Sequence, residues 1–519
     1  MNRRPIYVLL LLAASVRPAP AASRPPIGTN LNGLSYYSTE LPFLDSFKSV
    51  SEWVSSTEQT WDDKRPLDLD SHGWVRSLKP GQLAYAVLFH GFDKFPGLLP
   101  ARLVVTYEGK GEIRYEERAS LVEHGDHRDV IAIDASQDGN ATLAIAKTDP
   151  KDYIRNIRIV AEGAQAKPGE LFNPIFIERL KGYRALRFGI WMMGESAGDV
   201  KVRAGRWTRR PTLQDPQWSQ KGVPAEAMVA LSNKVHADPW FNIAYNVDDD
   251  YVRRFAQLVA KSLDPKLKVY LEYDNEVWND QFEGTKHARK QGLALGLSQD
   301  PNEALLRFYA KRAVEIFTIF ETVLGKERLV RVLAFQSEVD PQWSDEIALS
   351  YGDTSRHVDA LAIAPYFGTE LANEESARTK KMTLDEFMKE LETSSLPKTK
   401  AYMLAHAAVA KKYGLKYIAY EGGQHLWNFG GSNDDPELNN LFNAANKDPR
   451  MGKIYSRYLQ DWADAGGGLF MHELDCGSFP DAGNWGALEY ITQPRAEAPK
   501  FDALMRFIEG STPKGASPK

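Results

Sequence analysis

One cysteine, Cys476, stands in a chain of 519 residues. That scarcity excludes an intrachain disulfide framework and any thiolate-built zinc or iron–sulfur site, so metal binding must rest on histidines and carboxylates. Charge of one sign is scarce as well: 64 basic residues face 69 acidic ones, a net of −5. Such a balance presents no positive field to a phosphate backbone, which leaves out nucleic acid as a partner and favours a neutral or weakly charged ligand. Collagen-like repeats and low-complexity tracts are missing, and 43% hydrophobic residues suffice for an ordinary globular core. No phosphate-cradling glycine loop lies between a strand and a helix, so a nucleotide cofactor is not expected, nor is any other cofactor.

Long apolar runs are limited to the start of the chain. Ile6 to Val16 follows Arg3 and Arg4 and precedes Ala19-Pro20-Ala21-Ala22. This is the layout of a secretory signal peptide cleaved after Ala21 or Ala22, and the run is shorter than the ~20 residues that span a bilayer. Loss of residues 1–22 removes Arg3, Arg4 and Arg17 and takes the net charge from −5 to −8. Export without disulfides points to a secreted or periplasmic bacterial protein, with no membrane span once the signal is gone.

Short apolar runs, in contrast, are plentiful and alternate with amphipathic helical patterns. Gly28–Ser35, Arg184–Trp191, Pro239–Tyr245, Leu267–Tyr273, Leu329–Phe335, His357–Pro365, Leu415–Glu421 and Gly468–Glu473 read as eight strands. Helical patterns over 41–54, 224–235, 248–263, 304–324, 384–392, 400–413, 451–465 and 500–508 accompany them. Eight strands with intervening helices predict an α/β fold, a (β/α)8 TIM barrel, ahead of a doubly wound open sheet. Between about Trp74 and Glu162 the helical period vanishes, and LAYAVLF, ARLVVTY, RDVIAID, ATLAIA and NIRIVAE read as strands of an inserted antiparallel β-sandwich. The chain therefore divides into a signal (1–22), a first barrel strand and helix (27–72), the insert (73–165), the rest of the barrel (166–510) and a flexible tail (511–519). The insert reads equally as structural embellishment, as a carbohydrate-binding module or as a wall of the cleft.

Barrel chemistry collects at the C-terminal ends of the strands. There the chain places Asn275-Glu276 after the fourth strand and Glu421-Gly422-Gly423 after the seventh. These strands are three steps apart around the ring, so their ends face each other across its mouth. Two opposed carboxyl groups are what glycoside cleavage needs, one to protonate the leaving oxygen and one to attack the anomeric carbon or activate water. A separation of ~5 to 5.5 Å means retention of configuration and ~6.5 to 9.5 Å inversion. The 12 tryptophans supply flat apolar faces suited to sugar rings as well as to cores.

An Asn-Glu pair ending strand four with a second Glu ending strand seven resembles clan A of the glycoside hydrolases, a (β/α)8 group of retaining enzymes. The resemblance implies that Glu276 is the general acid/base, that Glu421 is the nucleophile and that Asn275 bonds the sugar 2-hydroxyl. It further implies that Arg187 keeps Glu421 ionised and that Tyr366 contacts it. Taken with GTNLNG, ADPWFN and EYDNEVWN, the chain also resembles bacterial proteins labelled cellulose-binding.

Trp240, Trp278, Trp427 and His425 lie at strand ends where they would line a sugar site or pack the barrel rim. The eighth strand departs from the clan by ending in His472-Glu473, where a tryptophan platform is common, and Trp485 would substitute from the next loop. Glu272, Asp274 and Glu338 are rival carboxylates, and His236 reads as structural. His124-Gly125-Asp126-His127 with Glu123, and Asp68 to Gly73, look superficially like metal loops but lack full ligand sets, so no metal is expected. The reading is a retaining hydrolase of β-linked polysaccharide or oligosaccharide, β-glucan or cellulose favoured. The alternatives are an inverting enzyme and a non-catalytic polysaccharide-binding protein on a degenerate barrel. The glycan, the mode of attack and the oligomeric state stay open.

Overall fold

The computed structural model describes residues 24–164, 169–193, 205–428, 435–479 and 483–511. The expected signal segment, and the tail from residue 512, lie outside these residues. Eight parallel strands close into a barrel: β1 Ile27–Asn30, β2 Ala185–Arg187, β3 Asp238–Ile243, β4 Val269–Tyr273, β5 Leu329–Phe335, β6 Ala360–Ile363, β7 Lys416–Ala419 and β8 Phe470–His472. Each pairs with the next in sequence, and β1 closes the ring on β8 through Ile27–Phe470, Gly28–Met471 and Thr29–His472.

The strands read as continuous apolar runs because both of their faces are covered. Along β5, Val330, Val332 and Ala334 point into the barrel and join Trp240, Ile418, Tyr420 and Met471, while Leu329, Leu333 and Phe335 join the core under the helices. Gly28 supplies room at the seam, since a Cβ there would stand 2.3 Å from Met471 Sδ. Helices fill the crossovers after β2 to β7. Their starts are capped in the way Asp and Pro permit: Asp248 accepts from Tyr251 N at 2.8 Å, and Asp300 accepts from Glu303 N at 2.8 Å with Pro301 in the first turn. No helix among the described residues is long and apolar enough to cross a membrane.

The crossover from β1 to β2 carries two four-stranded antiparallel sheets in place of a simple helix. All five strands expected there are present, as Leu83–His90, Leu103–Glu108, Arg128–Ile133, Asn140–Thr148 and Arg155–Ala161. Two more, Gly111–Glu117 and Ala119–Gly125, lack an apolar run because most of their residues are exposed or half-exposed. Val54–Ser56 pairs with Leu83–Tyr85, so the first sheet draws on chain ahead of residue 73.

The helix expected over 41–54 is not formed. A single 3-10 turn, Ser46–Ser49, stands there, followed by the strand Val54–Ser56. Its polar side chains are committed to backbone N–H groups, two of them in the insert: Asp45 accepts from Phe47 N at 3.1 Å and Ile159 N at 2.9 Å, and Ser51 Oγ accepts from Val87 N at 2.9 Å. Phe47 stacks on Trp74 at 5.8 Å, anchoring the turn to the insert.

Candidate active site

The loops at the C-terminal ends of the strands surround a cavity of about 800 Å³. Glu276, Glu421, Asn275, Tyr366, Trp278, His425 and Trp485 all line it, whereas no residue of 54–164 does. The insert is therefore not a wall of this cleft.

Beneath the cavity sits Arg187, at the end of β2 and fully buried. Its Nη1 donates to Glu421 Oε1 at 2.8 Å and to Asn30 Oδ1 at 3.1 Å. Its Nη2 donates to Asn275 Oδ1 at 2.9 Å, and Nε and Nη2 together grip Glu272 at 3.1 and 3.0 Å. Glu272 also accepts from Trp240 Nε1 at 2.8 Å. A carboxylate so held is a fixed counter-charge to the guanidinium, which takes Glu272 out of contention as a reacting group.

The two glutamates sit in different surroundings. Glu421 takes its second hydrogen bond from Tyr366 Oη, 3.1 Å from Oε2, so it holds one charged and one neutral donor. Glu276 takes only neutral donors, Tyr420 Oη to Oε1 at 3.1 Å and Asn279 Nδ2 to Oε2 at 2.9 Å. Tyr420 directly precedes Glu421, so one residue from the end of β7 reaches across the mouth to the glutamate after β4. The loop carrying Glu276 is tightly wound, with Asp274 at φ 59° and Glu276 at φ 44°, a conformation that costs L residues of order 1 kcal/mol or more each. It is pinned by Asn242 Nδ2 donating to Asp274 O at 2.7 Å. Gly284 makes way for the Asp274 carboxylate, which would overlap any Cβ at that position.

Burial dominates the acidities. It raises the Glu421 carboxyl to about 8, with Arg187 pulling down and Glu276 and Glu272 pushing further up. Burial likewise raises Glu276, against the pull of Asn279, Tyr420 and Arg187. Glu473 rises well above the usual range through burial and the nearby Glu421. Several carboxyls around one guanidinium cannot all ionise at neutral pH, so the group titrates as a unit and retains protons. The charged donor on Glu421 biases ionisation toward it and leaves a proton for Glu276.

The aromatic expectations divide. Trp278 and Trp485 line the cavity, and His425 packs edge-on against Tyr366 at 4.7 Å and tilted against Trp485 at 5.5 Å. Trp427 lies behind, its ring 5.6 Å from that of Trp485, and is absent from the lining. Trp240 does not reach a ligand: it is fully buried inside the barrel, stacked on Tyr270 at 5.3 Å. The apolar barrel interior captures its ring, and Glu272 captures its N–H. Among the other carboxylates Glu338 faces the cavity.

The bland readings of the remaining residues fit their contacts. His124 pairs with Asp129 at 2.7 Å, Asp70 caps its own turn through His72, Gly73 and Trp74 N–H groups, and His236 ends a helix at φ 56°. Cys476 is buried with its Sγ 3.7 Å from Thr39 O. Sequence reasoning missed Tyr420, Asn279 and Asn30, polar residues in or beside the quoted motifs; Tyr420 and Asn30 act on partners distant in the chain, and Asn279 on Glu276 three residues before it.

No family model matches the chain, and no curated protein matches it. Solved structures with a similar course include a 4-O-α-L-rhamnosyl-β-D-glucuronidase from Fusarium oxysporum, 13% identical with a TM-score of 0.37. That match spans 64% of this chain and 63% of the other, under two thirds of its length. An endo-β-1,4-mannanase from Thermotoga petrophila is 10% identical over 66% of this chain and 74% of its own, with a TM-score of 0.37. A GH10 protein from Paenibacillus barcinonensis is 13% identical over 64% and 90%, again at 0.37. The barrel rests on the strand order itself rather than on these distant likenesses.

Proposed function

We propose that this protein is a retaining glycoside hydrolase acting on a β-linked polysaccharide or oligosaccharide. The observation that carries the reading is the pair Glu276 and Glu421 lining one cavity, with a charged donor on only the second. In the first step the Glu276 carboxyl gives its proton to the glycosidic oxygen while a Glu421 carboxylate oxygen bonds to the anomeric carbon and the aglycone leaves. In the second, ionised Glu276 takes a proton from water, the water oxygen bonds to the same carbon, and the bond to Glu421 breaks. Asn275 spends its Oδ1 on Arg187, which leaves its Nδ2 to donate to a sugar hydroxyl. Trp278 and Trp485 offer ring faces for sugar stacking.

A panel of β-glucans, mannans, xylans and galactans, assayed for released reducing ends, tests the activity. Proton NMR of the first-formed anomer tests the stereochemistry, with the β anomer expected. Absence of hydrolysis across the panel overturns the reading, and the α anomer replaces retention by inversion.

Acidity gives a second check. Glu421 must be ionised to attack, and burial holds its carboxyl above the usual carboxylate range, so activity falls on the acid side as that carboxyl takes up its proton. Tyr366 favours the charged form by donating to it. Tyr366→Phe should therefore move the acid limb of the kcat/KM profile to higher pH and lower kcat by about 10- to 100-fold, the worth of one hydrogen bond to a charged group. An acid limb unmoved by Tyr366→Phe contradicts the assigned role of Glu421.

A further inference from the structure

Arg187 is the cation closest to the reacting carboxylates, and all five of its N–H groups are engaged within the protein. Glu272 takes Nε and part of Nη2, Asn275 takes the rest of Nη2, and Asn30 and Glu421 share Nη1. It has no donor left for a ligand. No lysine or arginine stands among the described residues that line the cavity, whose acidic side chains are Glu276, Glu338, Glu421 and Glu473. His425 does not redress the balance, because burial lowers its imidazole to about 4 and leaves it neutral.

Glu473 is the member of this set that the proposed reaction does not use. It follows β8, and its backbone N–H donates to Gly422 O at 3.0 Å, which fixes it beside the Glu421 loop. The residue is only 9% exposed and lines the cavity, yet neither carboxyl oxygen has a hydrogen-bond partner among the described residues, and of the two Oε2 is shut off from solvent. A buried carboxyl oxygen without a donor is costly, and on a cavity wall the donor it lacks is one that a ligand can bring.

We propose that Glu473 is the acceptor for a hydrogen-bond donor of the bound sugar, so that the cavity takes neutral or amine-bearing glycans and rejects glycans bearing carboxylates. The proposal rests on the reading of this cavity as the sugar site. A hydroxyl or ammonium supplies a donor to the Glu473 carboxyl, whereas a uronate brings a second negative charge beside the Glu421 carboxylate and meets no spare cation among the described residues. The selectivity is then a property of repulsion as much as of attraction.

The test uses the full chain with mixed-linkage β-glucan, galactomannan and galactan, each beside its C6-oxidised, uronate-bearing derivative. Affinity electrophoresis in gels containing each polymer reads binding, and reducing-end release reads turnover. The most strongly retarding neutral glycan is expected to bind at least ~10²-fold more tightly than its oxidised form. Glu473→Gln, checked for folding by circular dichroism, should narrow that ratio by about tenfold or more. Equal retardation by both forms, no retardation by any neutral glycan, or a ratio unchanged in folded Glu473→Gln overturns the proposal. The native ratio needs no variant, so it decides the matter even where Glu473→Gln does not fold. Selective binding without release of reducing ends leaves this proposal standing and removes the hydrolytic reading, so the two fail separately.

Discussion

On the proposed mechanism Glu421→Ala should lower kcat by about 10⁴-fold or more, the order expected when a covalent nucleophile is removed. Sodium azide then restores cleavage of an activated aryl glycoside, because the truncated side chain leaves room for a small anion on the nucleophile's side of the sugar. Glu276 still protonates the leaving group, and the product is a glycosyl azide of inverted configuration. Glu276→Ala behaves differently. On a poor leaving group it loses about 10²- to 10⁴-fold, the usual worth of general acid catalysis. On an activated leaving group the first step survives, the glycosyl-enzyme accumulates, and azide captures it with retained configuration. Proton NMR of the two azides therefore assigns the two roles independently of the rate losses. Near-native turnover in either variant, or the same azide anomer from both, overturns the assignment.

The barrel was legible in the sequence because each strand is buried on both faces and so reads as an apolar run without alternation. LVRVLAF shows why: its odd and even positions face different cores, and both cores are apolar. The outer strands Gly111–Glu117 and Ala119–Gly125 were not legible, since a strand whose residues mostly face solvent has little hydrophobic pattern to read. Residues 41–54 failed for a different reason. Phe47, Val50 and Trp53 recur at helical spacing, but Asp45 and Ser51 pair with backbone of the insert, more than thirty residues away in sequence, and those bonds prevail over the local period.

The site was legible to the extent that it is local. Glu276 and Glu421 each follow a recognisable strand, and barrel geometry alone makes the two ends face each other. Which aromatic rings meet the cavity was not local: Trp240 lies inside β3 and points into the barrel, whereas Trp278 stands five residues beyond the end of β4 and meets the cleft. A one-residue change in phase reverses the direction of a strand side chain, and the position of a strand's last paired residue is not readable to that accuracy. Tyr420 was hidden in the same way, inside a strand signal, although its hydroxyl reaches Glu276.

Arg187 ties these parts together, and its removal carries the largest expected effect on stability. Arg187→Met keeps most of the length and apolar stem but withdraws the charge from Glu272 and Glu421, both buried. Breaking a buried ion pair from one side costs about 3 to 5 kcal/mol, and here two carboxylates lose their charged donor and two asparagine carbonyls lose their guanidinium bonds at once. The cost depends on pH in a fixed direction. Without the guanidinium, the carboxyls of Glu272 and Glu421 rise further above their unfolded value near 4.5, so the folded variant keeps protons that the unfolded chain has released. Its stability therefore falls as pH climbs from about 4.5 through the raised values, more steeply than that of the native protein. Thermal unfolding of both proteins at pH 5 and pH 8 should show the wider gap at pH 8, together with loss of turnover at both. Arg187→Lys restores one positive charge but not the fork that spans Glu272, Asn275 and Glu421, so it should recover part of the stability and little of the activity. A gap that is equal at the two pH values, or wider at pH 5, would mean that the carboxylates do not depend on Arg187 for their charge.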